Sequence, residues 1–158
     1  MNGPITQIAW VAEDLGPLER LLTSQFGVRD WVRLPGIVFG PDTCTFRGEP
    51  ADFVADISLA YSGEMQLELI RPVLGASIYT EFLERSGPGL HHVCFEVDDL
   101  AAAVDGAGLD VLQRGSMADG AIEFAYLDGS AAGAPYIELA SIDPSMRAFY
   151  DHIKATTT

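Results

Sequence analysis

The chain has 158 residues, 48% of them hydrophobic, with 9 basic residues against 23 acidic ones and a formal net charge of −14. That is enough apolar material for one domain of ordinary size, or for two small modules sharing a core. The charge argues against nucleic-acid binding, which needs a cationic surface. It also requires a local cation such as Arg71 or Arg85 to draw in any anionic substrate. No run approaches the roughly 20 apolar residues of a membrane span, and the amino terminus lacks a basic stretch followed by an apolar core. The two cysteines, Cys44 and Cys94, have no C-x-x-C spacing. These features lead us to expect a cytoplasmic protein in a reducing setting, without membrane or nucleic-acid partners.

The pattern of apolar residues and breakers predicts a strand at about 5–12, then a helix over 14–26. Asp14 would cap that helix, Leu18, Leu21, Leu22 and Phe26 would form its apolar stripe, and Gly27 would end it. Strands near 30–40, 52–61 and 64–71 follow. A bridge from Pro72 to Gly89 carries a short helix at about 77–86, with Ile78, Phe82 and Leu83 inward. A second round then begins with a strand at 90–97 and a helix at 99–107 capped by Asp98 or Asp99. Strands near 110–116, 121–127 and 135–141 complete it, and a last helix starts at Asp143-Pro144 and runs over 144–154. The order strand, helix and three strands occurs twice. This divides the chain into a first module (1–72), a connecting segment (73–89), a second module (90–142) and a C-terminal helix and tail (143–158).

The two rounds also share sequence. Ile-Ala-Trp-Val-Ala-Glu-Asp-Leu at 8–15 returns as Val-Cys-Phe-Glu-Val-Asp-Asp-Leu at 93–100, and Leu-Glu-Leu at 67–69 returns as Ile-Glu-Leu at 137–139. Each copy sets polar residues in or beside apolar strands: Gln7 and Glu68 in the first, His92 and Glu138 in the second. Side chains alternate faces along a strand. Ile8, Trp10, Leu67, Leu69, Val93, Phe95, Ile137 and Leu139 would therefore pack on helices, leaving the four polar residues on the other face. Any one of them alone is explained by a solvated strand face, and adjacent His91 and His92 would point opposite ways. Their equivalent places in two copies favour a shared metal site. Gln7 to Glu68 spans 61 positions and His92 to Glu138 spans 46, so the first round carries an insertion. Its polar, turn-rich stretch from Gly40 to Pro50 reads as a loop that could cover a site.

The stretch from Met65 to Pro72 and the stretch from Ser77 to Leu100, above all Gly89-Leu-His-His-Val, resemble methylmalonyl-CoA epimerases of the vicinal oxygen chelate superfamily, which also includes glyoxalases, bleomycin resistance proteins and dioxygenases. The resemblance implies an α+β fold, in which two paired βαβββ modules form a cupped, half-open β-barrel with helices outside. It also implies one divalent metal held by Gln7, Glu68, His92 and Glu138. Epimerases usually have histidine at the position of Gln7, whereas this ligand set is similar to that of some zinc-type glyoxalase I enzymes. The resemblance is weak through 30–60, where an epimerase places a second catalytic carboxylate. Counting back from Glu68 nominates Asp52, with Asp56 as the alternative.

Two carboxylates, one imidazole and one amide oxygen suit Zn²⁺, Co²⁺, Ni²⁺, Mn²⁺ or Mg²⁺. A lone candidate histidine disfavours the two-histidine iron chemistry of extradiol dioxygenases. By resemblance, Glu138 would be the base, taking a proton α to a carbonyl held by the ion, with Asp52 as its partner. Three functions follow as expectations: a metal-dependent epimerase or isomerase acting on a small carbonyl compound or acyl thioester; a glyoxalase I type lactoylglutathione lyase; or a metal-free ligand-binding or antibiotic-sequestering protein of the same fold. A homodimer is expected, as superfamily members often dimerise.

Overall fold

The computed structural model describes residues 3–158. The first round comprises β1 (Ile5–Val11), α1 (Gly16–Phe26), β2 (Val32–Phe39), then a hairpin of β3 (Cys44–Phe46) and β4 (Glu49–Pro50), followed by β5 (Phe53–Ser62) and β6 (Met65–Leu74). After α2 (Ile78–Ser86), the second round comprises β7 (Gly89–Glu96), α3 (Leu100–Ala107), β8 (Val111–Met117), β9 (Ile122–Gly129) and β10 (Ala134–Ile142). The helix α4 (Pro144–Thr157) closes the chain. All ten strands form one sheet in the order β2-β5-β6-β1-β7-β10-β9-β8-β3-β4. The two rounds meet where β1 pairs antiparallel with β7. On either side the arrangement repeats, β1 running parallel to β6 and β7 parallel to β10. This is the curled half-barrel of mixed α+β type that the family resemblance implied.

Strand parity sorts the apolar residues as expected. One face buries Leu67 and Leu69 with Val28 and Trp31 under α1, and Leu127 and Leu139 with Leu100 and Val104 under α3. Within α1 only Leu18 and Leu22 of the expected stripe join that core, while Leu21 and Phe26 remain 48% and 69% exposed. The other, concave face carries the largest cluster, including Phe39, Phe53, Ile57, Leu59, Phe124 and Tyr126. The helices α2 and α4 pack there, through Ile78, Tyr79 and Phe82 and through Ile153. Burial on both faces explains why β5 and β6 read as nearly continuous apolar runs.

The helix starts follow local chemistry. Asp99 accepts from the Ala102 amide and Asp143 from the Met146 amide, each as an N-cap. Ser77 caps α2 in a reciprocal box with Thr80. Asp14 differs from expectation: it accepts from the Gly16 amide ahead of the helix, whose N-cap is Leu15 and whose first turn holds Pro17. The insertion also differs. Instead of an irregular loop it is a β-hairpin that adds to the far edge of the sheet, Cys44 pairing with Gly115 of β8. Its turn, Arg47-Gly48, has positive φ at both residues, 52° and 81°, the geometry that suits a two-residue hairpin.

Candidate metal centre

The four repeated polar residues converge on the concave face. His92 is the centre: its Nε2 lies 2.9 Å from Glu138 Oε2, 3.2 Å from Gln7 Oε1 and 3.6 Å from Glu68 Oε2. One ligand-capable atom each from Glu68, His92 and Glu138 lies within 4.8 Å of the others. Donors sharing a first-row ion at about 2.0–2.2 Å sit ~3.0–3.5 Å from one another, so the cluster has the spacing of a coordination shell. The three distances from His92 Nε2 span that range. The His92 side chain is 0% exposed, and those of Glu68 and Glu138 keep 13% and 9%, directed into a cavity.

Sheet register places these groups. Gln7 of β1 pairs with Cys94 of β7, two residues from His92, and Glu138 of β10 pairs with the same Cys94 and with Tyr126 of β9. The orientation of Gln7 is fixed by a chain of side chains. Its Nε2 donates to Gln66 Oε1 at 2.7 Å, and Gln66 Nε2 donates to the Tyr61 hydroxyl at 3.1 Å. With its amide nitrogen engaged, Gln7 turns its oxygen toward His92. Gln66 is thus a positioning residue, one that the sequence pattern did not single out. Gln7 and Gln66 share a register position in parallel strands, a pairing that only the folded sheet reveals.

His91 departs from the alternation rule. The register of β1 on β7 passes from Ala9–His92 to Trp10–Leu90, so β7 bulges at His91 and brings both histidines to the concave side. Their Nδ1 atoms are 2.8 Å apart, which directs Nε2 of His92 at the carboxylates. The His91 ring stacks on Tyr136 at 4.3 Å, and its own Nε2 has no hydrogen-bond partner.

Burial dominates the electrostatics. It pushes Glu138 up to about 8, while a hydrogen bond with Cys94 pulls the other way. Glu68 is held well above the ordinary carboxylate range by burial and by the charge of Glu138. Burial lowers His92 to about 3, and burial with the neighbouring His92 lowers His91 to about 2. Two enclosed carboxylates that resist ionisation beside a neutral imidazole fit a divalent cation, whose charge would offset both.

Asp52 and Asp56 do not join the cluster, which corrects the expectation of a second catalytic carboxylate from either. Asp56 lies on the convex parity of β5, where it accepts from the Gly36 amide and pairs with Arg71 at 3.0 Å. Asp52 is exposed and precedes β5. It stands seven residues before Leu59, the partner of Glu68, on the order of 20 Å of strand away. Its backbone is pinned beside Gly75, where a Cβ would come within 2.1 Å of the Asp52 carbonyl. The positions facing the cluster from β5 are Ile57 and Leu59. Arg71 and Arg85 do not border the cavity either.

A sequence model of the Glyoxalase/Bleomycin resistance protein/Dioxygenase superfamily matches residues 6–126. The chain belongs to that superfamily. No curated protein matches it. Among solved structures, the fold is similar to that of a methylmalonyl-CoA epimerase from Mycobacterium tuberculosis, at 18% identity and a TM-score of 0.62, covering 92% of this chain and 91% of that one. It is also similar to a hypothetical protein from Bacillus halodurans, at 17% identity and a TM-score of 0.65, covering 90% and 96%. A third similar structure is a Streptomyces coelicolor methylmalonyl-CoA epimerase in complex with 2-nitronate-propionyl-CoA, at 18% identity and a TM-score of 0.56, covering 90% and 99%. At these identities the likeness is one of fold. No helix among the described residues is long and apolar enough to cross a membrane.

Proposed function

We propose that this superfamily member is a metal-dependent isomerase or epimerase that removes a proton α to a carbonyl, with Glu138 as the base. The observation that carries the reading is the convergence of Gln7, Glu68 and Glu138 on Nε2 of a fully buried His92. Those four side chains would hold the ion. When bound, a divalent ion supplies Lewis acidity that polarises a substrate carbonyl and lowers the acidity barrier at the adjacent carbon. Glu138 borders the cavity beside His92 Nε2, and an ion held there would keep its carboxylate ionised and able to accept a proton from a neighbouring carbon. Gln7 contributes an uncharged oxygen, and Gln66 keeps that oxygen turned inward. The aromatic and aliphatic walls exclude water from the carbanion side of the reaction.

A lyase of the glyoxalase I type is the second reading. It is favoured by the amide at position 7 and by the placement of Asp52 and Asp56 away from the cluster, which leaves no carboxylate there beyond Glu68 and Glu138. A metal-free binding protein of the same fold is disfavoured by four converging donors. The test uses protein loaded with Co²⁺ or Zn²⁺ in deuterated water, offered methylmalonyl-CoA and, separately, acetoin. Metal-dependent deuterium incorporation at the carbon α to the carbonyl, abolished by Glu138→Gln, is the expected result. Absence of exchange into both compounds would overturn the isomerase reading, and turnover of the methylglyoxal–glutathione hemithioacetal would then install the lyase.

A further inference from the structure

The walls of the cavity above the cluster bear on what it can hold. Apart from Gln7, Glu68 and Glu138, its lining is aliphatic, aromatic or thioether side chains and tyrosines. No lysine or arginine borders it. Five of the nine basic residues are held elsewhere in ion pairs: Arg33 with Glu19, Arg47 with Glu81, Arg71 with Asp56, Arg147 with Glu96, and Lys154 with Glu64. With the two charges of a divalent ion already offset by Glu68 and Glu138, a further carboxylate or a chain of phosphates entering this space would find no cationic partner, against a net charge of −14. Burying an unpaired charge costs several kcal/mol at least.

Two further observations narrow the ligand. Tyr79 and Tyr126 both line the cavity, and their hydroxyls lie 2.7 Å apart. Such a pair uses one proton between the rings and leaves the other available to a ligand oxygen. Tyr126 stands directly across from Glu138 in the sheet register, so that donor lies beside the cluster. The cavity itself encloses only about 60 Å³, against roughly 300–1,000 Å³ for ordinary ligand sites. Its roof is one face of α4, presenting Met146, Phe149 and Tyr150. The ligand must therefore be compact, and it must displace these side chains to enter.

Resting on the metal-dependent reading above, we infer that the substrate is a compact, uncharged, apolar carbonyl compound, rather than a carboxylate or a coenzyme A thioester. One of its oxygens is received by the Tyr79–Tyr126 pair and its apolar end lies against Met146, Phe149 and Tyr150.

The test compares near-isosteric probes by calorimetry on the Co²⁺-loaded full chain. These are 1-phenyl-1,2-propanedione, which is neutral, and phenylglyoxylate, which replaces its methyl group with a charged oxygen, alongside methylmalonyl-CoA. The diketone should bind at least tenfold more tightly than either anion. Tyr126→Phe should weaken it about tenfold while leaving the Co²⁺ absorption spectrum and the Co²⁺ affinity as they were. Equal or tighter binding of either anion, or no binding of the diketone, overturns the inference. Co²⁺ titration of the same samples reports separately on the metal reading. If Co²⁺ fails to bind, that reading falls, and the probe comparison on the metal-free chain still decides the preference for neutral ligands.

Discussion

Stripped of metal, the protein should lose stability as pH rises from 6.5 to 8. In the folded chain burial holds the Glu138 carboxyl up to about 8, against an ordinary 4.5, and raises Glu68 in the same direction. Between the unfolded and folded values the native state keeps protons that the unfolded chain has released, so each step upward in pH favours unfolding, until the folded value is passed. The buried histidines act oppositely. His91 and His92 are held at about 2 and about 3 against an ordinary 6.5, so the stability they contribute is lost as pH falls below 6.5. Above 6.5 the carboxyls act alone. At about 1.4 kcal/mol per pH unit, Glu138 alone makes the loss about 2 kcal/mol between 6.5 and 8. For a domain of this size that is a fall of roughly 4–8 °C in melting temperature. Thermal denaturation followed by circular dichroism in the presence of a chelator measures it. Saturating Zn²⁺ should remove the fall, because the carboxyls then release their protons to the ion's advantage, and Glu138→Gln should lessen it without metal, Glu68 remaining. A melting temperature that stays flat or rises over this interval in chelator would refute the burial argument.

Other outcomes follow from single contacts. Gln66→Leu removes the group that orients the Gln7 amide and should weaken Co²⁺ binding ~10–100-fold by spectroscopic titration, with the fold retained. Asp52→Ala and Asp56→Ala should leave metal affinity unchanged, and neither should abolish deuterium exchange, since the first is exposed and the second faces Arg71. Gly75→Ala should lower the melting temperature sharply or prevent folding, as the added methyl would meet the Asp52 carbonyl at a residue with φ of 81°. Ser77→Ala should cost about 1 kcal/mol by chemical denaturation through loss of the α2 cap.

Alternation and repetition made the site legible. Because side chains on a strand change face at each residue, apolar Leu67 and Leu69 fixed the opposite orientation of Glu68, and Ile137 and Leu139 did the same for Glu138. The duplicated order then set both carboxylates against Gln7 and His92. What the chain order hid was tertiary. The hairpin at Arg47-Gly48 pairs with a strand about 70 residues later, and local composition shows only its turn. The bulge that turns His91 inward breaks the rule used to read it. Asp52 and Asp56 were nominated by counting across an insertion, whereas β5 starts immediately after Asp52 and turns Ile57 and Leu59 to the cup. Nor could periodicity assign α4 to the roof of the cavity, since an amphipathic helix shows which face it buries but not against what.

The claim at the centre of this account is that Gln7, Glu68, His92 and Glu138 share one ion. Anomalous diffraction from crystals grown with Co²⁺ tests it most directly. A single strong peak is expected about 2.0–2.2 Å from His92 Nε2, from an oxygen of each carboxylate and from the Gln7 amide oxygen. Absence of a peak there, or a peak with Gln7 turned away and its nitrogen released from Gln66, would contradict it.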